Sequence, residues 1–145
     1  MAGYSGTPLP KKLGLADGQR AGWVGLPITL GILALSNRFA RSEMVARARE
    51  LSGRPFDMIH IFTMSRSMLE TDLEVARQKI VPDGMIWVSW PKKAAKIPTD
   101  VTEDVVREIA LAGPLVDVKV CAVDDIWSGL KLVIRKELRG GAGAG

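Results

Sequence analysis

Two clusters of residues carry most of the chemistry this sequence offers. The first is Trp90-Pro91-Lys92-Lys93, with Arg66 upstream, and the second is Asp124-Asp125-Ile126-Trp127-Ser128. Arg66, Lys92 and Lys93 supply positive charge of the kind that recognises carboxylates and phosphates. Trp90 and Trp127 supply indole faces for stacking, and Asp124, Asp125 and Ser128 supply groups for hydroxyls or amines. Brought together, they would line a pocket for a small anionic or nucleotide-like ligand. Each cluster also has a plainer reading. The lysines suit a solvated loop and the indoles suit packing at a sheet rim. Asp124-Asp125 fits either a carboxylate pair for acid–base work or Mg²⁺, or a tight turn, whose backbone angles Asp tolerates.

Other reactive residues are single. His60 is the only histidine and Cys121 the only cysteine, so a cysteine–histidine zinc site lacks ligands and a Ser-His-Asp triad would have to use His60. His60 sits within the apolar run DMIHIFT (57–63), which suits a hydrogen-bonded core histidine. Cys121 lies mid-strand, away from any helix start that would activate it. One cysteine allows no intramolecular disulfide and points to a reducing, cytoplasmic compartment. No nucleophile–base pair is brought together by the sequence, so no catalytic residue is assigned and no metal is expected.

The elements must do the positioning. The chain has 145 residues, 47% hydrophobic and 25% charged, which suits one globular α/β domain over 1–139 followed by a disordered GGAGAG tail at 140–145. Residues 1–56 carry 8 basic and 3 acidic groups, whereas 57–145 carry 12 and 13. A basic front half favours anionic partners, but no aromatics interleave with the cations as single-stranded nucleic acid would require. Ala21–Leu35 is uncharged over 15 residues, short of the ~20 that span a bilayer. Gly25, Pro27 and Gly31 also interrupt it, so a buried strand followed by a helix is expected and no membrane span.

Thr7 and Pro8 predict the cap and first position of a short helix that Gly14 stops. Arg20–Leu26 reads as a first strand, and Pro27 opens a helix with Ile28, Ile32, Leu35 and Phe39 on its inner face. Ser42 and Gly53 bracket a further helix, although this segment also suits a strand. DMIHIFT (57–63) and MIWVSW (85–90) read as central parallel strands, apolar on both faces. Ser67 with Glu70 predicts a capping box for a helix built on Leu69, Leu73, Ala76 and Ile80. Asp100 with Glu103 predicts the cap of a helix ending at Gly113-Pro114. In 115–123, Val116, Val118, Val120 and Ala122 alternate with Asp117 and Lys119. In 127–135, Leu130, Leu132 and Ile134 alternate with Lys131 and Arg135. Joined at 124–126, these two strands predict an antiparallel hairpin with one wet face.

This order specifies a reduced Rossmann-like sheet covered by helices, its parallel strands followed by a C-terminal hairpin. Ligands of such sheets bind outside the carboxyl ends of the strands, which is where both polar clusters fall. RPFDMIHIFTMS, ARQKIVPDGMIWVSW and the hairpin resemble the fourth strand, the helix and fifth strand, and the last two strands of a truncated class I methyltransferase. That resemblance implies S-adenosylmethionine as a cofactor, yet the segment after the first strand, GWVGLPITLG, lacks the glycine-rich loop, and no acidic residue follows before Glu43. SGTPLPKKLG (5–14), WPKK (90–93), TEDVVRE (102–108) and VDVKVCAVDDIWSGLKLV (116–133) resemble an uncharacterised bacterial family, domain of unknown function 3052. This second resemblance implies a methyltransferase-like fold in a cytoplasmic bacterial protein, with no established activity. Three functions therefore stay open: a non-catalytic small-ligand or partner-binding domain, a methyltransferase with an atypical cofactor site, and a structural or regulatory subunit whose hairpin edge pairs with a second copy, as a homodimer, or with a partner.

Overall fold

A computed structural model describes residues 7–139. Six strands form one sheet: β1 (Arg20–Val24), β2 (Arg41–Val45), β3 (Phe56–Phe62), β4 (Ile80–Pro91), β5 (Leu115–Ala122) and β6 (Trp127–Ile134). Their order is β2-β1-β3-β4-β6-β5. The first four run parallel, β6 runs antiparallel to β4, and β5 antiparallel to β6. The expected α/β sheet and terminal hairpin are therefore both present. The GGAGAG tail lies outside the described residues.

One face is covered by two amphipathic helices, α2 (Arg66–Ala76) and α3 (Glu103–Ala112). Leu69, Leu73 and Ala76 of α2 and Val106 and Ala110 of α3 pack on Ile59, Ile61, Ile86, Val88, Leu130 and Leu132 of the sheet. Both helices start at residues other than those predicted. Ser65, not Ser67, caps α2, its extended backbone aiming Oγ at the Met68 N–H, 3.3 Å away. Thr102, not Asp100, caps α3 by accepting from Val105 N–H at 3.2 Å. Asp100 instead accepts the Arg66 N–H at 2.7 Å, satisfying one of the donors that the first turn of α2 leaves free.

The other face has much less helix over it. Here α1 (Leu9–Lys12) is one turn, with Pro8 rather than Thr7 at its N-cap, and it stops before Gly14 at φ +73°. Residues Ile28–Leu35 form a 3-10 helix, and the face predicted to be inner is the outer one. Ile28 is 98% exposed, Ile32 73% and Leu35 82%, whereas Leu30, Leu33 and Ala34 are buried. Leu30, Leu33 and Ala34 stand at i, i+3 and i+4, a spacing that shares one face in an α-helix as well, so in a segment apolar all round it is packing on the sheet that selects the buried face. Aromatic bulk fills the space a longer helix would take. Trp23, Trp87, Phe62 and the His60 ring pack together under α1 and the 3-10 helix. Trp87 donates its indole N–H to the Leu13 carbonyl at 2.9 Å, and Trp23 donates to Ser42 Oγ at 3.1 Å.

The helix predicted over 42–53 is replaced by strand β2 and a three-residue 3-10 turn, Ala48–Glu50. Glu43 and Arg41 alternate onto one face of β2, and Glu43 accepts both the N–H and the hydroxyl of Ser52. Within the hairpin, Leu130 and Leu132 point inward as predicted. In β5 the predicted inner residues Val118 and Val120 are exposed, while Leu115 and Cys121 are buried. A register shift between Asp117 and Lys119 is the cause, because one extra residue exchanges the faces of everything after it. Asp117 thus meets Arg107 of α3 at 2.9 Å, while Lys119 reaches the Lys12 carbonyl beneath the opposite face. Neither face of the hairpin is wholly wet.

Candidate functional site

At the carboxyl edge of the sheet, the end of β4, the start of β6 and the amino end of α3 surround a cavity of about 760 Å³. Trp90, Lys92, Lys93 and Ser128 line it, so four of the eight sequence-predicted residues come together. Register explains two of them, since Trp90 and Ser128 are cross-strand partners. The chain leaves β4 through Pro91, and the Lys92 N–H donates to the Ile126 carbonyl at 2.7 Å, tying this rim to the hairpin turn.

The other four lie elsewhere. Arg66 is held at the start of α2 by Glu70 and Glu108, and these bonds raise its pKa further. The Asp124 carboxylate accepts the N–H groups of Ile126 and Trp127 at 2.8 and 2.7 Å, which makes it a turn residue. Its neighbour Asp125 is exposed. Trp127 points to the α1 side of the sheet and meets the Phe62 ring edge-on at 5.3 Å. Arg66, Asp124, Asp125 and Trp127 are therefore not wall residues of this cavity.

Ile97, Pro98, Thr99, Val101 and Thr102 line it as well and were not singled out from sequence. The signal was a long connection between β4 and α3 at the edge where such sheets bind ligands. Hydrogen bonds hold that connection in place. Thr99 donates its hydroxyl to the Met64 carbonyl at 2.7 Å and accepts the Val101 N–H at 3.0 Å. Lys96 adopts φ +56°, the only left-handed non-glycine residue among those described.

Lys92 and Lys93 have no carboxylate partner among the described residues. The cavity's two carboxylates are at its rim. Glu103 is bound to Arg107, and the Asp104 side chain is 98% exposed. Beside them the cavity has the half-buried Lys92 and the exposed Lys93, with apolar lining from Trp90, Ile97, Pro98 and Val101.

His60 and Cys121 are both buried away from this cavity. His60 lies on β3, with Nε2 2.7 Å from Ser89 Oγ and Nδ1 without a partner. Burial pushes its pKa down to about 3. No group of three or more His, Cys, Asp or Glu side chains among the described residues could hold a metal ion. Nor is any helix among them long and apolar enough to cross a membrane.

With this geometry in view, the chain is similar to solved methyltransferases. It matches the magnesium protoporphyrin IX methyltransferase of Synechocystis PCC 6803, determined with bound SAH, at TM-score 0.59 and 11% identity, over 86% of this chain and 78% of that one. It matches the CcbJ methyltransferase of Streptomyces caelestis at TM-score 0.60 and 6% identity, over 87% of both chains. A protein from Pyrococcus horikoshii OT3 matches at TM-score 0.61 and 11% identity, over 88% of this chain and 86% of that one. The fold is that of a reduced class I methyltransferase. No protein-family model and no curated protein matches the sequence.

The residues after β1 differ from a glycine-rich cofactor loop, and Gly25 gives its N–H to the Val45 carbonyl at 2.9 Å. Gly25, at φ +68°, is committed to the sheet, because a Cβ there would lie 2.8 Å from the Phe62 carbonyl. β1 and β3 are paired neighbours where the strand order reverses, and such folds take their ligand outside the carboxyl ends at that point. Pro27 precedes the 3-10 helix and has no N–H to offer a ligand. Glu43, the first acidic residue downstream, is engaged by Ser52 and Arg41.

Proposed function

We propose that this chain is a non-catalytic binding protein on a methyltransferase-like fold, and that it takes a small anionic ligand in the cavity between β4, β6 and α3. The observation that carries this reading is the pair Lys92 and Lys93 lining a pocket without carboxylate partners. An ammonium that no carboxylate of the protein engages remains available to an anionic ligand. We keep the resemblance to domain of unknown function 3052, and with it a bacterial cytoplasmic setting, as part of the same reading.

The second reading is a methyltransferase with an atypical cofactor site, favoured by structural neighbours that hold SAH and SAM. Pairing of two copies through the hairpin edge has less support, because β5 carries Lys119 and a register shift, both features that discourage strand pairing.

Thermal melting of the purified protein separates the readings. A ligand at ~100-fold its dissociation constant adds about 2.7 kcal/mol, or several degrees for a chain of this size. An adenosine monophosphate or inorganic phosphate shift that disappears in Lys92→Ala/Lys93→Ala supports the binding protein. A shift with S-adenosylhomocysteine that survives the lysine changes favours the methyltransferase. No shift with any anion overturns the cavity assignment.

A further inference from the structure

We propose that the cavity selects an amphiphilic anion, a carboxylate or phosphate head carried on an apolar body. This inference rests on the preceding reading and names its ligand class. It starts from Trp90, which is 6% exposed and lines the cavity. The other two deeply buried indoles, those of Trp23 and Trp87, each donate to a protein acceptor. Trp90 Nε1–H has no such acceptor, and it is not among the fully buried atoms left unpaired. It keeps some access to solvent, and its residue lines the cavity. An indole N–H with no protein acceptor, on a residue that lines a cavity, is a donor that an entering group can take over from water. Ser128, its cross-strand neighbour, adds a hydroxyl on the same wall.

These donors, with Lys92 and Lys93 beside them, describe a head that is anionic and rich in acceptors. The connection to α3 adds the apolar side chains of Ile97, Pro98 and Val101, and its Thr99 and Thr102 hydroxyls are already bonded to Met64 and Val105, so this stretch matches an apolar body. A nucleotide fits less well, because ribose hydroxyls call for a free carboxylate. Glu103 is bound to Arg107, and Asp104 points to solvent. A volume of about 760 Å³ lies within the range of small-molecule pockets, ample for an anionic head with an apolar body.

Calorimetric titration of the whole chain with octanoate, acetate, octanol, inorganic phosphate and adenosine monophosphate tests this. The expected result is octanoate at least about tenfold tighter than acetate and octanol, since head and tail each contribute. Trp90→Phe, which keeps a ring and removes the N–H, is expected to weaken octanoate about fivefold to tenfold. Lys92→Ala/Lys93→Ala should weaken it further. If Trp90→Phe fails to fold, by circular dichroism, Ser128→Ala replaces it, with a loss of about threefold or more expected. Octanoate no tighter than acetate overturns the amphiphile and leaves the anion site standing. So does adenosine monophosphate binding more tightly than octanoate. Octanoate binding that none of the variants weakens places it outside this cavity and overturns the proposal. No lysine-dependent binding of any probe overturns both the ligand class and the site.

Discussion

His60 Nε2 lies 2.7 Å from Ser89 Oγ across the two central strands, and neither residue has any exposure to solvent. The ring is stacked on Phe62 at 4.1 Å and sits between Trp23 and Trp87. A neutral imidazole suits this setting, while an imidazolium would be a charge without a counterion in an aromatic layer.

Stability should therefore fall on mild acidification. Unfolded imidazole takes up its proton near pH 6.5, whereas burial delays protonation of folded His60 to about pH 3. Between these values the unfolded state binds more protons, so the stabilisation is whole above pH 6.5 and is lost as pH drops, by about 1.4 kcal/mol per unit. Asp57 and Asp117, held below the usual carboxylate range by hydrogen bonds from Arg20 and Arg107, add their own losses only below about pH 4. Urea melts from pH 7 to 4.5 should show the slope in the natural chain and lose it in His60→Gln. Parallel slopes in the two proteins would remove His60 as the cause.

The 3-10 helix gives a test of the inverted face. Leu30→Ala and Leu33→Ala each remove buried side chains and should cost about 2–4 kcal/mol. Ile28→Ser, Ile32→Ser and Leu35→Ser touch exposed positions and should stay within about 0.5 kcal/mol. Chemical denaturation of the five variants reads this directly. The reverse ranking would restore the face predicted from sequence.

This helix also marks where sequence reasoning stops. Strands β3 and β4 were legible because both of their faces are apolar, a pattern that survives small errors in register. The inner face of 28–35 was not legible, because a segment apolar all round has no period that tells 3-10 from α winding. In β5 the alternation is real, but one extra residue between Asp117 and Lys119 reverses its meaning. Both misplaced caps share another cause. Ser65 and Ser67, like Asp100 and Thr102, are chemically equivalent candidates, and backbone geometry alone decides between them. At the site, the lysines and Trp90 were found from strand ends, whereas Arg66 and Asp124 were already taken by local partners that sequence does not reveal.

Gly25 should tolerate no side chain. Its φ of +68° disfavours an L-residue, and a Cβ would press on the Phe62 carbonyl at 2.8 Å, a backbone atom that cannot swing away. Gly25→Ala should cost about 2 kcal/mol or more in denaturant melts. Anion affinity of the folded fraction should be unchanged, because Gly25 serves the contact between β1 and β3 and not the cavity. A variant as stable as the natural chain would mean that these strand ends are free to part.

Lys96 predicts the opposite outcome. It holds φ +56° at the end of a 3-10 turn, Lys93–Ala95, within the connection that forms one wall of the cavity. An L-residue there carries a steric cost of about 1 kcal/mol that glycine avoids, partly offset by glycine's greater freedom in the unfolded chain. Lys96→Gly should thus raise stability by a few tenths to about 1 kcal/mol. The ammonium of Lys96 is not among the groups lining the cavity, so anion binding should persist with Lys92 and Lys93 intact. A melting midpoint that rises while octanoate affinity holds would separate the conformation of this connection from its charge. A loss of affinity instead would mean that the left-handed turn sets the spacing of Lys92 and Lys93, and that glycine lets it relax.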